Sequence, residues 1–202
     1  MDRQAHWQRV YTTKKPAELS WYQLEPEISL RLLTALPRGE GRIIDVGGGE
    51  SRLVDRLLQA GYTEITVLDV SPAALEQSRR RLGAQAFQVR WLAADILASE
   101  SPGQFDLWHD RAVFHFLTDP AEQARYTAIA AQSIVPGGYL VIGTFALDGP
   151  EKCSGLNVCR YDAAGLAARF AGDFTPVSDC RHLHTTPWGK PQPFTFCVLH
   201  RA

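Results

Sequence analysis

Arg42-Ile43-Ile44-Asp45-Val46-Gly47-Gly48-Gly49-Glu50-Ser51 runs from an apolar segment through an acid into three consecutive glycines. Leu53, Leu57 and Leu58 then recur at helical spacing. A short apolar run closed by glycine reads as a buried strand, and the leucines read as the buried stripe of a following helix. Glycines at the strand's carboxyl end let the backbone take positive φ and approach a ligand closely. The first N–H groups of a helix are unpaired and partly positive, so this turn is expected to suit a polar or anionic ligand.

Outward from that turn, strand and helix alternate. The first helix is expected to stop at Gly61. Glu64-Ile65-Thr66-Val67-Leu68-Asp69-Val70 reads as a second strand, and its acid can accept the hydroxyls of a ribose whose neighbouring groups lie over the glycine turn. Ser71-Pro72 opens the next helix as N-cap and first residue, and Gly83 ends it. Residues 87–94 are expected as a third strand, followed by Asp95-Ile96. Residues 105–110 are expected as a fourth, ending on His109-Asp110. Asp119-Pro120 begins a long helix closed by Pro136-Gly137-Gly138, and residues 139–145 form a fifth strand. This rhythm implies a parallel α/β sheet, doubly wound with helices on both faces. After a helix over 162–171, two extended runs (174–183 and 194–200) are joined by a linker too short for a helical crossover. They should pair antiparallel, completing a mostly parallel seven-stranded sheet with a C-terminal antiparallel hairpin.

The length of 202 residues suits one domain with a core that needs no disulfide staples. Residues 1–40, with Trp7, Tyr11, Trp21, Tyr22 and a helix after Pro26, are expected to form an N-terminal helical lid on a Rossmann-like core over 41–202. A net charge of -1 argues against nucleic acid as the default partner, since phosphate binding needs clustered positive charge, and Arg79-Arg80-Arg81 reads as a solvated helix face, with a small anionic docking patch as the alternative. No apolar stretch is long enough for a membrane span, and the first ten residues have no apolar signal core, so a cytoplasmic protein is expected. Cys153, Cys159, Cys180 and Cys197 form no C-x-x-C pair, and no metal site is expected.

Asp45 with Gly47, Gly48 and Gly49, then Asp69, Asp95 and His109-Asp110, all fall at carboxyl ends of predicted strands, where open α/β sheets bind ligands. This set resembles the class I, seven-strand S-adenosylmethionine-dependent methyltransferases. Ile44 to Gly49 looks like their D-x-G-x-G motif, and Leu68-Asp69-Val70-Ser71 like the acidic ribose-binding motif. Ala94-Asp95-Ile96 looks like the adenine-contacting motif, Phe105-Asp106-Leu107-Trp108 like the fourth-strand motif, and Val135 to Gly138 like the turn before strand five. Ser51 departs from a third glycine found in many members. The resemblance implies S-adenosylmethionine as cofactor, held by Asp45, Gly47, Gly48, Gly49, Asp69, Val70, Asp95, Ile96, His109 and Asp110. A nicotinamide fingerprint G-x-G-x-x-G is excluded by Arg52, which stands where its third glycine would be.

Activated methyl transfer needs alignment, exclusion of water and, for some acceptors, a base. His115 and Asp110 are the candidates for catalysis. Trp21, Tyr22, Arg111, Cys153 and His184 are the candidates for binding the acceptor, within a pocket that Phe114 and Phe116 also line. The absence of a basic groove favours a small-molecule acceptor. A protein acceptor such as lysine is the alternative, and O-, N- and S-methylation all remain open.

Overall fold

The computed structural model describes residues 2–98 and 101–202. Helix α1 (Arg3–Thr13) is N-capped by Asp2, whose carboxylate accepts from the Ala5 N–H, and α2 (Glu27–Thr34) follows Pro26. The sheet begins with β1 (Arg42–Val46), followed by α3 (Leu53–Gln59), β2 (Glu64–Asp69), α4 (Pro72–Leu82), β3 (Val89–Ala93) and β4 (Phe105–Arg111). Then come α5 (Pro120–Ser133), β5 (Ile134–Phe145), a two-residue hairpin of β6 (Lys152–Cys153) and β7 (Leu156–Asn157), α6 (Ala163–Ala168), and finally β8 (Phe174–Thr185) and β9 (Pro191–Arg201). Ser71, Asp119 and Asp162 cap α4, α5 and α6 through their side chains.

Seven strands form one sheet in the order β3-β2-β1-β4-β5-β9-β8. The first five are parallel, and β9 pairs antiparallel with both β5 and β8. Chain direction along the sheet reverses between β1 and β4, so their carboxyl ends flank the crevice where such sheets take ligands. Alternate residues face opposite sides, as strand geometry requires. Ile44, Trp108 and Ile142 pack with Tyr126 and Leu166 on one face; Ile43, Leu107 and Val141 pack with Leu33 and Leu57 on the other. Among the described residues no helix is long and apolar enough to cross a membrane.

Several boundaries differ from the sequence expectation. Residues 83–88 form a 3-10 turn and the sheet register starts at Val89, leaving Phe87 fully outside the sheet and exposed. The fifth helix stops at Ser133, and Pro136-Gly137-Gly138 lies inside β5 rather than before it. There the register jumps from Phe105↔Ile134 to Leu107↔Tyr139, and Gly137 takes φ 82° to accommodate the bulge. The last helix ends at Ala168, shorter than expected. Arg81 is not merely solvated: it pairs with Asp55 and donates to the Glu50 and Ser51 carbonyls.

Candidate active site

The glycine turn after β1 is shaped by close packing. Gly47 has φ 69° and a Cβ there would sit 2.1 Å from Val113 Cγ2. At Gly48 a Cβ would lie 2.5 Å from Asp45 Oδ2 and 2.8 Å from Val67 Cγ1. The N–H groups of Gly47 and Gly48 donate to the Leu68 carbonyl, which ties the turn to β2. Helix α3 begins only at Leu53, so the turn is not the helix terminus that the sequence suggested.

Asp45 is buried, and its Oδ1 accepts from His109 Nδ1 at 2.7 Å, while His109 Nε2 meets Ser29 Oγ at 2.9 Å. Both ring nitrogens of His109 are therefore engaged, one of them holding Asp45, and the residue itself borders the small cavity beside the glycine turn. Asp45 Oδ2 has no partner among the described residues. It borders a small cavity that Gly47, Gly48, Glu50 and Tyr22 also line. Glu50, which sequence reasoning missed, is buried there with Oε2 unpartnered, and burial raises its pKa.

Asp69, Val70, Asp95 and Ile96 line one end of a larger, mostly apolar cleft. Asp69 Oδ1 accepts from the Ser71 N–H at 2.8 Å. Burial pushes its carboxyl up to about 7, with the Asp45 charge adding to the shift. Asp95 Oδ1 caps the turn at Leu97, and Oδ2 lies 3.6 Å from Arg3 Nη1; Arg3 also pairs with Glu122.

Arg3, Trp7 and Tyr11 share one face of α1 and all line the cleft. Trp7 packs edge-on against Trp21 and Phe116, with ring centroids 5.6 and 5.1 Å apart. The i, i+4, i+8 spacing of these three residues was the signal in the sequence that could have identified them as a set.

The other end of the cleft is walled by Trp21, Arg111, Ala112, Phe116, Phe145, Cys153 and Phe194. Ala112 takes φ 72°, unusual for a residue with a Cβ, and its N–H donates to the Gly143 carbonyl. Arg111 donates through Nη1 to the Trp21 carbonyl at 2.9 Å, and its guanidinium lies 5.0 Å above the Phe194 ring. Cys153 sits on β6 rather than in an open loop; it is buried, and burial raises its thiol to about 11, so it is not a thiolate at neutral pH.

Four expectations for this end are corrected. Asp110 is fully buried on the opposite face of β4, where its carboxylate accepts from the N–H groups of Val113 and Phe114 and from the Tyr126 hydroxyl. It neither lines the cleft nor has a free oxygen to act as a base. Phe114 follows it into the core against Tyr126, Tyr161 and Phe170. His115 is buried behind Phe116 and Phe145; burial, reinforced by Arg111, lowers its pKa to about 3, which makes it a very weak base. His184 is tied through Nε2 to the Ser20 carbonyl at 2.7 Å and, with Tyr22, borders a separate shallow cavity.

A family model described as a methyltransferase domain matches residues 44–140. An uncharacterized methyltransferase of Mycobacterium tuberculosis is 30% identical over 166 residues, covering 80% of this chain and 76% of its own length. Nodulation protein S of Rhizobium tropici is 30% identical over 114 residues, covering 56% of this chain and 47% of its own. Among solved structures, the N-methyltransferase NodS of Bradyrhizobium japonicum, in complex with S-adenosyl-L-homocysteine, superposes with a TM-score of 0.73 at 17% identity over 99% of each chain. On the matches to the methyltransferase domain model and to the mycobacterial methyltransferase, the chain belongs to the class I, S-adenosylmethionine-dependent methyltransferase family.

Proposed function

We propose that this protein transfers the methyl group of S-adenosylmethionine to a small-molecule acceptor enclosed beneath its N-terminal segment. The observation that carries this reading is the apolar roof over the cleft. Trp7, Tyr11 and Trp21 cover it from α1 and the segment before α2, and Arg3 ties that roof to Asp95 and Glu122. Residues 1–40 thus act as a lid over the ligand-binding end of the core.

The residues fit the cofactor. Asp69, at the end of β2, faces the cleft with one oxygen beyond its Ser71 bond, which suits ribose hydroxyls. Asp45 Oδ2, buried and unpartnered, suits the ammonium of the cofactor's amino-acid end. Asp95 and Ile96 border the place for the base. Bound there, the sulfonium supplies an activated methyl group to a nucleophile in line with it.

What the chain contributes is alignment and dryness. Phe116, Phe145, Phe194 and Trp21 exclude water from the acceptor end. Of the residues walling that end, none is a carboxylate or imidazole that could take a proton. The acceptor is therefore an atom already nucleophilic near neutral pH, such as an unprotonated aromatic nitrogen, a thiolate or a carbanionic carbon, rather than an aliphatic hydroxyl or an alkylammonium.

Calorimetry with S-adenosylmethionine, S-adenosylhomocysteine and NAD tests the cofactor assignment. The first two should bind and NAD should not. A radiolabelled methyl screen of small molecules against a protein extract then tests the acceptor class. Label transfer to protein alone would overturn the small-molecule reading.

A further inference from the structure

Arg111 is the one cationic side chain described at the acceptor end of the cleft, and half of it is unused. Nη1 is committed to the Trp21 carbonyl. Nε and Nη2 are shielded from solvent and have no hydrogen-bond partner among the described residues. Those two nitrogens form one edge of the guanidinium, with two parallel N–H bonds, the geometry that receives both oxygens of a carboxylate. A buried donor without a partner is costly, and more so where it is charged, so this edge calls for an occupant.

We propose that the methyl acceptor carries a carboxylate and that the Nε–Nη2 edge of Arg111 holds it. This rests on the methyltransferase reading above and narrows its acceptor to apolar carboxylic acids.

Two features favour the acceptor over the cofactor as the source of that anion. The guanidinium leans over Phe194 on β9, two strands beyond β4 and away from the glycine turn on β1. Its neighbours there are Phe145, Phe194, Cys153 and Trp21, which suit a carbon skeleton. Arg111 also borders the small cavity near Asp45, so the cofactor's own carboxylate is the rival to be tested.

Charge argues for a carboxylate over a phosphate. Arg111 supplies one positive charge. The adjacent His115, His184 and Cys153 are neutral at pH 7, since burial lowers the imidazoles to about 3 and about 4 and raises the thiol to about 11. The Asp45 carboxylate also acts on Arg111 from the small cavity, so Arg111 can accommodate a monoanion, whereas a phosphate dianion would add buried negative charge without a partner.

The test is calorimetry on the full chain saturated with S-adenosylhomocysteine, using benzoate, phenylacetate and 3-phenylpropanoate against their carboxamides, with phenyl phosphate as a further probe. At least one carboxylate should bind on the order of 30-fold more tightly than its carboxamide. Arg111→Gln should abolish that preference, and Arg111→Lys, which keeps the charge but not the fork, should retain only part of it. Affinity for S-adenosylhomocysteine should stay within about threefold of wild type in both variants. Equal binding of carboxylates and carboxamides by wild type, or no binding of any carboxylate, overturns the proposal. So does tighter binding of phenyl phosphate, or a loss of S-adenosylhomocysteine affinity in both variants that matches the loss of carboxylate binding. The wild-type comparison stands even if Arg111→Gln fails to fold. Failure of wild type to bind S-adenosylhomocysteine would instead bring down the methyltransferase reading itself.

Discussion

Asp45 and His109 are register partners on the adjacent parallel strands β1 and β4, and their side chains meet at 2.7 Å beneath the glycine turn. The carboxylate can only accept, so Nδ1 carries the proton and Nε2 turns to Ser29 on α2. One oxygen of Asp45 is thereby fixed, and the other is left buried without a partner among the described residues.

His109→Ala should destabilise the protein by about 1–3 kcal/mol, because Asp45 Oδ1 and Ser29 Oγ lose their buried partner. Asp45→Asn keeps a hydrogen-bonding side chain but removes the charge. It should weaken S-adenosylmethionine binding on the order of tenfold. Urea denaturation and calorimetry measure the two effects. A His109→Ala protein as stable as wild type would show that this contact does not hold the turn.

Asp69 gives cofactor binding a pH dependence. Its carboxyl is raised to about 7 in the free protein by burial, and ribose hydroxyls need the ionised form as acceptor. Affinity for S-adenosylmethionine should therefore rise as pH increases through 7, and Asp69→Asn should bind weakly with a flatter profile. The same shift affects stability. Between the ordinary aspartate value of 3.8 and about 7 the folded state holds a proton that the unfolded state has released. Asp69 thus lowers stability as pH rises across that window. Relative to wild type, Asp69→Asn should gain stability progressively from pH 4 to 7. A difference independent of pH would mean that Asp69 is not proton-linked.

His115 acts with the opposite sign. Its pKa is lowered to about 3, so between there and the ordinary histidine value of 6.5 the unfolded state binds the extra proton, and stability is lost as pH falls from 6.5. Neither ring nitrogen has a partner among the described residues. His115→Phe should therefore protect against acid denaturation. Methyl transfer should remain within about threefold of wild type at pH 7, since so weak a base does no proton transfer there. A loss of several hundredfold in kcat with the fold intact would restore His115 as a catalytic group.

Gly48→Ala places a methyl group 2.5 Å from Asp45 Oδ2 and 2.8 Å from Val67 Cγ1. Over-packing of this kind costs about 1–3 kcal/mol, and it should also displace the free oxygen of Asp45 and weaken cofactor binding. Gly137→Ala is the comparison: φ there is 82°, but a Cβ meets nothing within 4 Å, so only backbone strain contributes and cofactor affinity should be unchanged. Equal effects of the two substitutions on binding would remove the glycine turn from the site.

Much of this protein was legible in its residues because the relevant signals are local. The apolar run into Gly47-Gly48-Gly49, the Ser71-Pro72 start of α4 and the short link between the last two strands each depend on a few neighbouring residues, and together they determined a mostly parallel sheet with a closing hairpin. The positions of Asp45, Asp69 and Asp95 at strand ends followed from the same rhythm. The role of each side chain at those ends was decided only by tertiary structure. Asp110 and Arg111 are consecutive, and strand geometry sends them to opposite faces; the sequence shows that alternation but not which face meets the ligand. Packing against Tyr126 took Asp110 into the core, and the approach of Trp21 and Phe194 left Arg111 at the cleft with one edge free. A lid from residues 1–40 was expected, and helical spacing groups Arg3, Trp7 and Tyr11 on one face; that this face meets the cleft beside Asp69, more than fifty residues later in the chain, was decided by tertiary packing.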